Sequence, residues 1–175
     1  MPDRLAFRLR GYKGASIMFL RLRRLSFGLP AAIVTSLALI VGLGAATVDR
    51  ATIVGSLLIL ALADNLTDAL GVHIYQESER LPERDAFRTT VANFLTRLLL
   101  SGSFVVLVLV TRPPYTQPLS VAWGFVLLAA LSYRIARVRG VHPLTEIAKH
   151  CAVALAVIAS SAAIGRWVPV WLRHL

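Results

Sequence analysis

The sequence has one cysteine in 175 residues, so neither a disulfide framework nor a cysteine-built zinc site is available to it. Charge is scarce as well. Asp, Glu, Lys and Arg make up 16% of the chain, where soluble proteins carry about 25%. There is no glycine-rich phosphate loop and no nucleophile elbow, and the serines are scattered along apolar stretches. These absences argue against nucleotide chemistry and serine-nucleophile enzymes, and neither an enzymatic activity nor a bound cofactor is expected. No low-complexity linker or internal repeat divides the chain.

Apolar residues dominate instead, at 57% against the usual 45–50% or so of soluble chains. The mean hydropathy is +0.69. A globule of this size has too much surface for its volume to hide that much hydrocarbon. The expected class is an all-α polytopic membrane protein. A span needs about 20 mostly apolar residues. On that rule five spans are predicted, at 29–48, 51–75, 91–111, 116–135 and 144–167. They form one membrane domain, residues 27–175, preceded by a basic segment, residues 1–26.

The formal charge of +10 would point to nucleic acid in a soluble protein. In a membrane protein it sets orientation, because Lys and Arg are retained on the cytoplasmic side. Thirteen basic residues fall before the first span and in the 76–92 and 134–143 loops, against four at Arg50, Arg112, Arg166 and Arg173. The expectation is a cytoplasmic N-terminus and an outer C-terminus, with Trp167 and Trp171 in an outer aromatic belt. Residues 4–26 are expected to lie on the inner surface as a basic amphipathic helix, with Phe7, Phe19 and Leu20 in the interface. The lipid bilayer is the partner this composition demands, in a bacterial inner membrane, and no nucleic acid is expected.

The informative charges are those inside the spans. Asp64 and Asp68 lie one turn apart, about 40° around the helix, with Asn65 and Thr67 beside them. A carboxylate in hydrocarbon costs at least about 2.5–3.5 kcal/mol, so a pair implies a compensating cation, proton, Arg or water. Arg97 in the third span lies at a similar depth and can meet Asp68. One guanidinium cannot neutralise two carboxylates. Two readings stay open: a cation or proton site, and a structural ion pair that locks helices together. Glu77, Glu79, Glu83 and Asp85 form a second acidic group in the 76–92 loop, either a solvated turn or a collector of divalent cations at the inner mouth. Glu146, Lys149 and His150 open the last span at the same level, and Cys151 reads as a small buried residue. Ala152, Ala156, Ala159, Ala163, Ser161 and Gly165 allow close helix approach, within the chain or between copies of it.

The run Ser36 to Leu43, a short turn, and then Ala61-Leu62-Ala63-Asp64 through Ala69-Leu70-Gly71 resemble the first helix pair of the vacuolar iron transporter family. An acidic segment after the second span and Ala162-Ala163-Ile164-Gly165 near the end of the fifth extend the similarity. The resemblance implies a five-helix homodimer that moves ferrous iron or manganese in exchange for protons. It also shows departures. The family's Asp-Gly in the first helix falls on Ala31-Ala32, its methionine in the second falls near Asp68, and its following glutamate falls on Val72. The cytoplasmic metal-binding domain shrinks to residues 76–92. With a hard oxygen at Asp68 in place of sulfur, Mn, Mg or Fe(II) is favoured over thiophilic ions. The functional expectation is a divalent-cation carrier using Asp64, Asp68, Asn65 and Thr67, fed by Glu77, Glu79 and Glu83, with Arg97 as counter-charge. The alternative is a non-transporting membrane subunit or scaffold built on the Asp–Arg network.

Overall fold

The structure, a computed structural model, describes residues 28–79 and 82–174. The basic segment expected to lie along the inner surface falls outside the described residues. Five helices follow one another: α1 (Leu29–Ala45), α2 (Arg50–Ser78), α3 (Glu83–Val110), α4 (Thr116–Arg139) and α5 (Pro143–Leu172). Helices α2 to α5 are each long and apolar enough to cross a membrane, while α1 is apolar but has 17 residues. The protein is therefore an all-helical membrane protein, and no strand occurs among the described residues.

Element ends follow local chemistry. α1 stops three residues short of its predicted end because the chain must turn within 46–49. Thr47 adopts φ 59, and the Ala46 and Thr47 amides close onto Gly42 and Gly44. Asp49 then caps α2, accepting from the Thr52 amide at 3.0 Å and the Thr52 hydroxyl at 2.6 Å. At the other end of α2 the predicted 76–92 loop is mostly helix. α2 runs on to Ser78 and α3 starts at Glu83, leaving 79–82 as the connection. Pro82 sets up that start, and Glu83 and Asp85 sit in the first turn, where carboxylates meet the positive end of the helix dipole. α4 ends with Arg137 and Arg139 in its last turn and Gly140 in the left-handed region at φ 67, which only glycine adopts cheaply. Pro143 opens α5, and Pro169 lies within it.

The packing is organised around α1, which touches every other helix. Ala32, Ile33, Leu37 and Ile40 are at most 1% exposed, and Leu57, Phe104, Val108 and Leu128 close around them. Glycines set two crossings. A methyl on Gly124 would meet Leu37 at 2.4 Å, and one on Gly165 would meet the Gly42 carbonyl oxygen at 2.0 Å. Ser161 and Gly165 therefore serve packing of α5 on α1, whereas Ala152, Ala156, Ala159 and Ala163 are exposed. Large apolar side chains such as Leu58, Leu62, Leu66 and Leu99 also face outward, the inverse of a soluble protein and the expected surface for lipid.

Candidate functional site

The polar centre of the molecule lies between α2 and α3, closed on one side by the start of α1. Asp64 and Asn65 come from one turn of α2 and Asp68 from the next, and Asn93 and Arg97 from one face of α3. Arg97 is 1% exposed, and its protons are taken by acceptors from three directions. Nη2 donates to Asp64 Oδ2 at 2.6 Å, and Nε donates to Asn65 Oδ1 at 2.9 Å. Nη1 donates to the Gly28 carbonyl and lies 3.2 Å from Asp68 Oδ2. Asn93 Nδ2 donates to the same Asp68 oxygen at 3.0 Å. Arg97 thus spans both carboxylates rather than meeting Asp68 alone. Two carboxylates and one guanidinium still sum to one uncompensated negative charge, and the Asp64 and Asp68 side chains remain 36% and 35% exposed.

The fold produces this arrangement because α1 begins with a residue that has no side chain. A Cβ on Gly28 would sit 2.3 Å from Arg97 Nη1 and 2.7 Å from Asp68 Oδ2. Its carbonyl also accepts the first intrahelical bond of α1, from the Ala32 amide at 3.2 Å, so both lone pairs are used. Gly28 and Asn93 are the site residues that sequence reasoning misses. A backbone acceptor leaves no letter in the sequence. Asn93 had a weak signal, since it lies four residues before Arg97 on the same stripe.

The other candidates are placed differently. Asn65 gives its oxygen to Arg97, which leaves its nitrogen, not an oxygen, uncommitted. The Thr67 hydroxyl is exposed and turned back onto the Ala63 carbonyl at 2.8 Å. Glu77, Glu79 and Glu83 are exposed on the ends of α2 and α3, and Glu77 pairs with His73 at 3.5 Å. Among the described residues no three His, Cys, Asp or Glu side chains gather as a metal-holding group. A separate polar contact joins α4 and α5. Glu146 pairs with Lys149 at 3.2 Å and Arg139 at 3.5 Å, and His150 Nδ1 meets the Ser132 hydroxyl at 2.8 Å.

A groove of about 560 Å³ runs between α1, α2 and α5, lined by apolar side chains with Thr35, Ser56 and Ser161 among them. Neither aspartate lines it, although Ser56 and Leu60 lead to Asp64 at spacing four along α2. Comparison of the chain with protein-family models, with curated proteins and with solved structures finds no match.

Proposed function

We propose that this protein is a cation transporter of the membrane, carrying a divalent ion of the manganese or iron(II) kind at Asp64 and Asp68. One observation carries the reading: two carboxylates at membrane depth outnumber the guanidinium between them, and each keeps about a third of its surface open. Half-exposed carboxylates within an apolar helix, left in that balance, attract positive charge. A divalent ion taking both carboxylates displaces Arg97 from them. The guanidinium then keeps Asn65 Oδ1 and the Gly28 carbonyl, neutral acceptors it already holds. Arg97 so acts as a resident counter-charge, and a proton exchanged for the metal restores the ion pair. The resemblance of α1 and α2 to the vacuolar iron transporter family supports the same reading and brings with it five spans, a homodimer and proton exchange. The excess of basic residues before α1 and at the 79–82 end supports a cytoplasmic N-terminus and an outer C-terminus, in a bacterial inner membrane.

The test is Mn²⁺ entry into proteoliposomes loaded with a manganese-sensitive dye. Asp64→Asn and Asp68→Asn are each expected to lower the initial rate at least about tenfold, the scale of one lost charged ligand. Wild-type rates in both would end the proposal.

A second reading has its own support. Arg97 is fully enclosed, and no third acidic, histidine or cysteine ligand joins the pair among the described residues. On that reading the network is a structural lock between helices of a non-transporting subunit. Combining Asp68→Arg with Arg97→Asp separates the two. Restored folding with no cation dependence at any concentration favours the lock.

A further inference from the structure

The α2–α3 and α4–α5 hairpins end on opposite charge balances. Beside the first connection the described residues carry four acids, Glu77, Glu79, Glu83 and Asp85, against Arg84 and Arg88. Beside the second, residues 140–142, Arg134, Arg137, Arg139 and Lys149 stand against Glu146 alone. Glu146 already holds two of these cations, Lys149 at 3.2 Å and Arg139 at 3.5 Å. Arg134 and Arg137 are exposed, and among the described residues no acceptor pairs with either guanidinium.

Helical spacing places Arg134 and Arg137 about 60° apart on one side of α4. Like charges three residues apart repel, and nothing in the bundle offsets them. The helix dipole accounts for a cation in the last turn, where Arg137 lies, but its effect fades before Arg134. The surface beneath the two arginines is apolar. Ser120, Gly124, Leu128, Ser132 and Ala136 are the buried residues of α4 and turn their side to the bundle. Leu119, Val126, Ala130 and Tyr133 share the other side with Arg137, within about 60° of one another, and all are exposed. Val126 lies about 16 Å from Arg137 along the axis, close to half of a hydrocarbon core about 30 Å thick. Tyr133, one turn from Arg137, brings a phenol of the kind that sits at headgroup level.

We infer that the end of α4 binds an anionic phospholipid, with its phosphate between Arg134 and Arg137 and an acyl chain along Tyr133, Ala130 and Val126. Phosphate oxygens accept the paired N–H groups of a guanidinium, a match that a zwitterionic headgroup weakens with its own cation. Basic residues at a helix end draw anionic lipid for the same reason. The apolar stripe selects a lipid over free phosphate, which would need the charges alone. The site goes beyond the carrier reading and stands whether or not a cation binds at Asp64 and Asp68.

Native mass spectrometry of the full chain in detergent tests the site, with dioleoyl phosphatidylglycerol and dioleoyl phosphatidylcholine as probes. Their chains are identical, and only the first carries net negative charge. Wild type is expected to retain phosphatidylglycerol at concentrations at least about tenfold below those needed for phosphatidylcholine. Arg134→Gln combined with Arg137→Gln is expected to abolish that preference. Arg84→Gln combined with Arg88→Gln removes the same charge beside the other connection and is expected to keep it. Equal retention of the two lipids by wild type, or loss of the preference in both double variants, overturns the inference. Excess inorganic phosphate is expected to leave phosphatidylglycerol bound. Displacement by it would mean that the charges alone make the site, and the lipid assignment would fail. Thermal unfolding supplies a readout independent of retention. Phosphatidylglycerol is expected to raise the midpoint of wild type by several degrees over phosphatidylcholine, and to leave the variant lacking Arg134 and Arg137 unshifted. A variant that gains as much as wild type places the lipid elsewhere and overturns the site.

Discussion

A guanidinium can stay inside hydrocarbon when its protons have takers, and Arg97 finds them in two aspartates, one asparagine and one backbone carbonyl. That concentration of contacts makes the smallest neighbour a sensitive position. Gly28→Ala places a methyl 2.3 Å from Arg97 Nη1 and 2.7 Å from Asp68 Oδ2. The guanidinium is the end of a long side chain, but it is pinned by every contact it makes and cannot simply swing away. Overpacking of this kind costs roughly 1–3 kcal/mol. A thermal midpoint lowered by several degrees in detergent, with loss of any dependence on added Mn²⁺, is the expected result. Gly55→Ala provides the contrast, because nothing lies within 4 Å of its added methyl. Ala is favoured over Gly in a helix interior by roughly 0.5–1 kcal/mol, so that variant is expected to be neutral or slightly more stable. If the two alanines behave alike, close approach at Gly28 is not what shapes the site.

At the scale of the element, helix ends were the least legible feature and the in-span charges the most. The 3.6-residue period put Asp64 and Asp68 on one face and Arg97 at a matching depth, and the structure joins them. The 76–92 stretch read as a loop because its charges interrupt the apolar pattern. Its start signal, Pro82 followed by Glu83 and Asp85, was nevertheless present, and charged helix ends projecting beyond the hydrocarbon need no apolar pattern. Gly28 was invisible because a carbonyl acceptor is common to all residues. Asp49 shows an element end with a testable pH signature. Its carboxyl is held below its ordinary value of 3.8, first by the hydrogen bond from the Thr52 hydroxyl and then by that from the Thr52 amide. A folded-state value below the unfolded one stabilises the fold above pH 3.8, and the contribution is lost as pH falls through the folded value. Asp49→Ala is thus expected to melt below wild type at neutral pH, with the gap closing as pH falls below about 3.8. A gap that persists unchanged in acid would show that the carboxylate is not the stabilising group.

For the whole molecule, helix length bears on how many times the chain crosses. α1 has 17 residues, about 26 Å of rise against a hydrocarbon core of about 30 Å, while its four neighbours have 24 to 30 residues. Length alone would let α1 fall short. Its position supports a crossing: it is the central helix, in contact with all four others, with Ile33, Leu37 and Ile40 buried in the middle of its length. Local thinning of the bilayer covers a deficit of that size at a fraction of a kcal/mol per Å. The proposed five crossings put the termini on opposite sides, and the proposed orientation, with the basic excess before α1 inside, puts the C-terminus outside. Alkaline phosphatase fused after Leu175, which is active only outside the inner membrane, is expected to be active. A green fluorescent protein fused at the same point is expected to stay dark when exported through the general secretory route. The reverse pair of signals would mean an even number of crossings or an inverted insertion. In the first case α1 would pack on α2 and α3 without crossing, and the Gly28 contact with Arg97 would sit at the end of a helix that does not span.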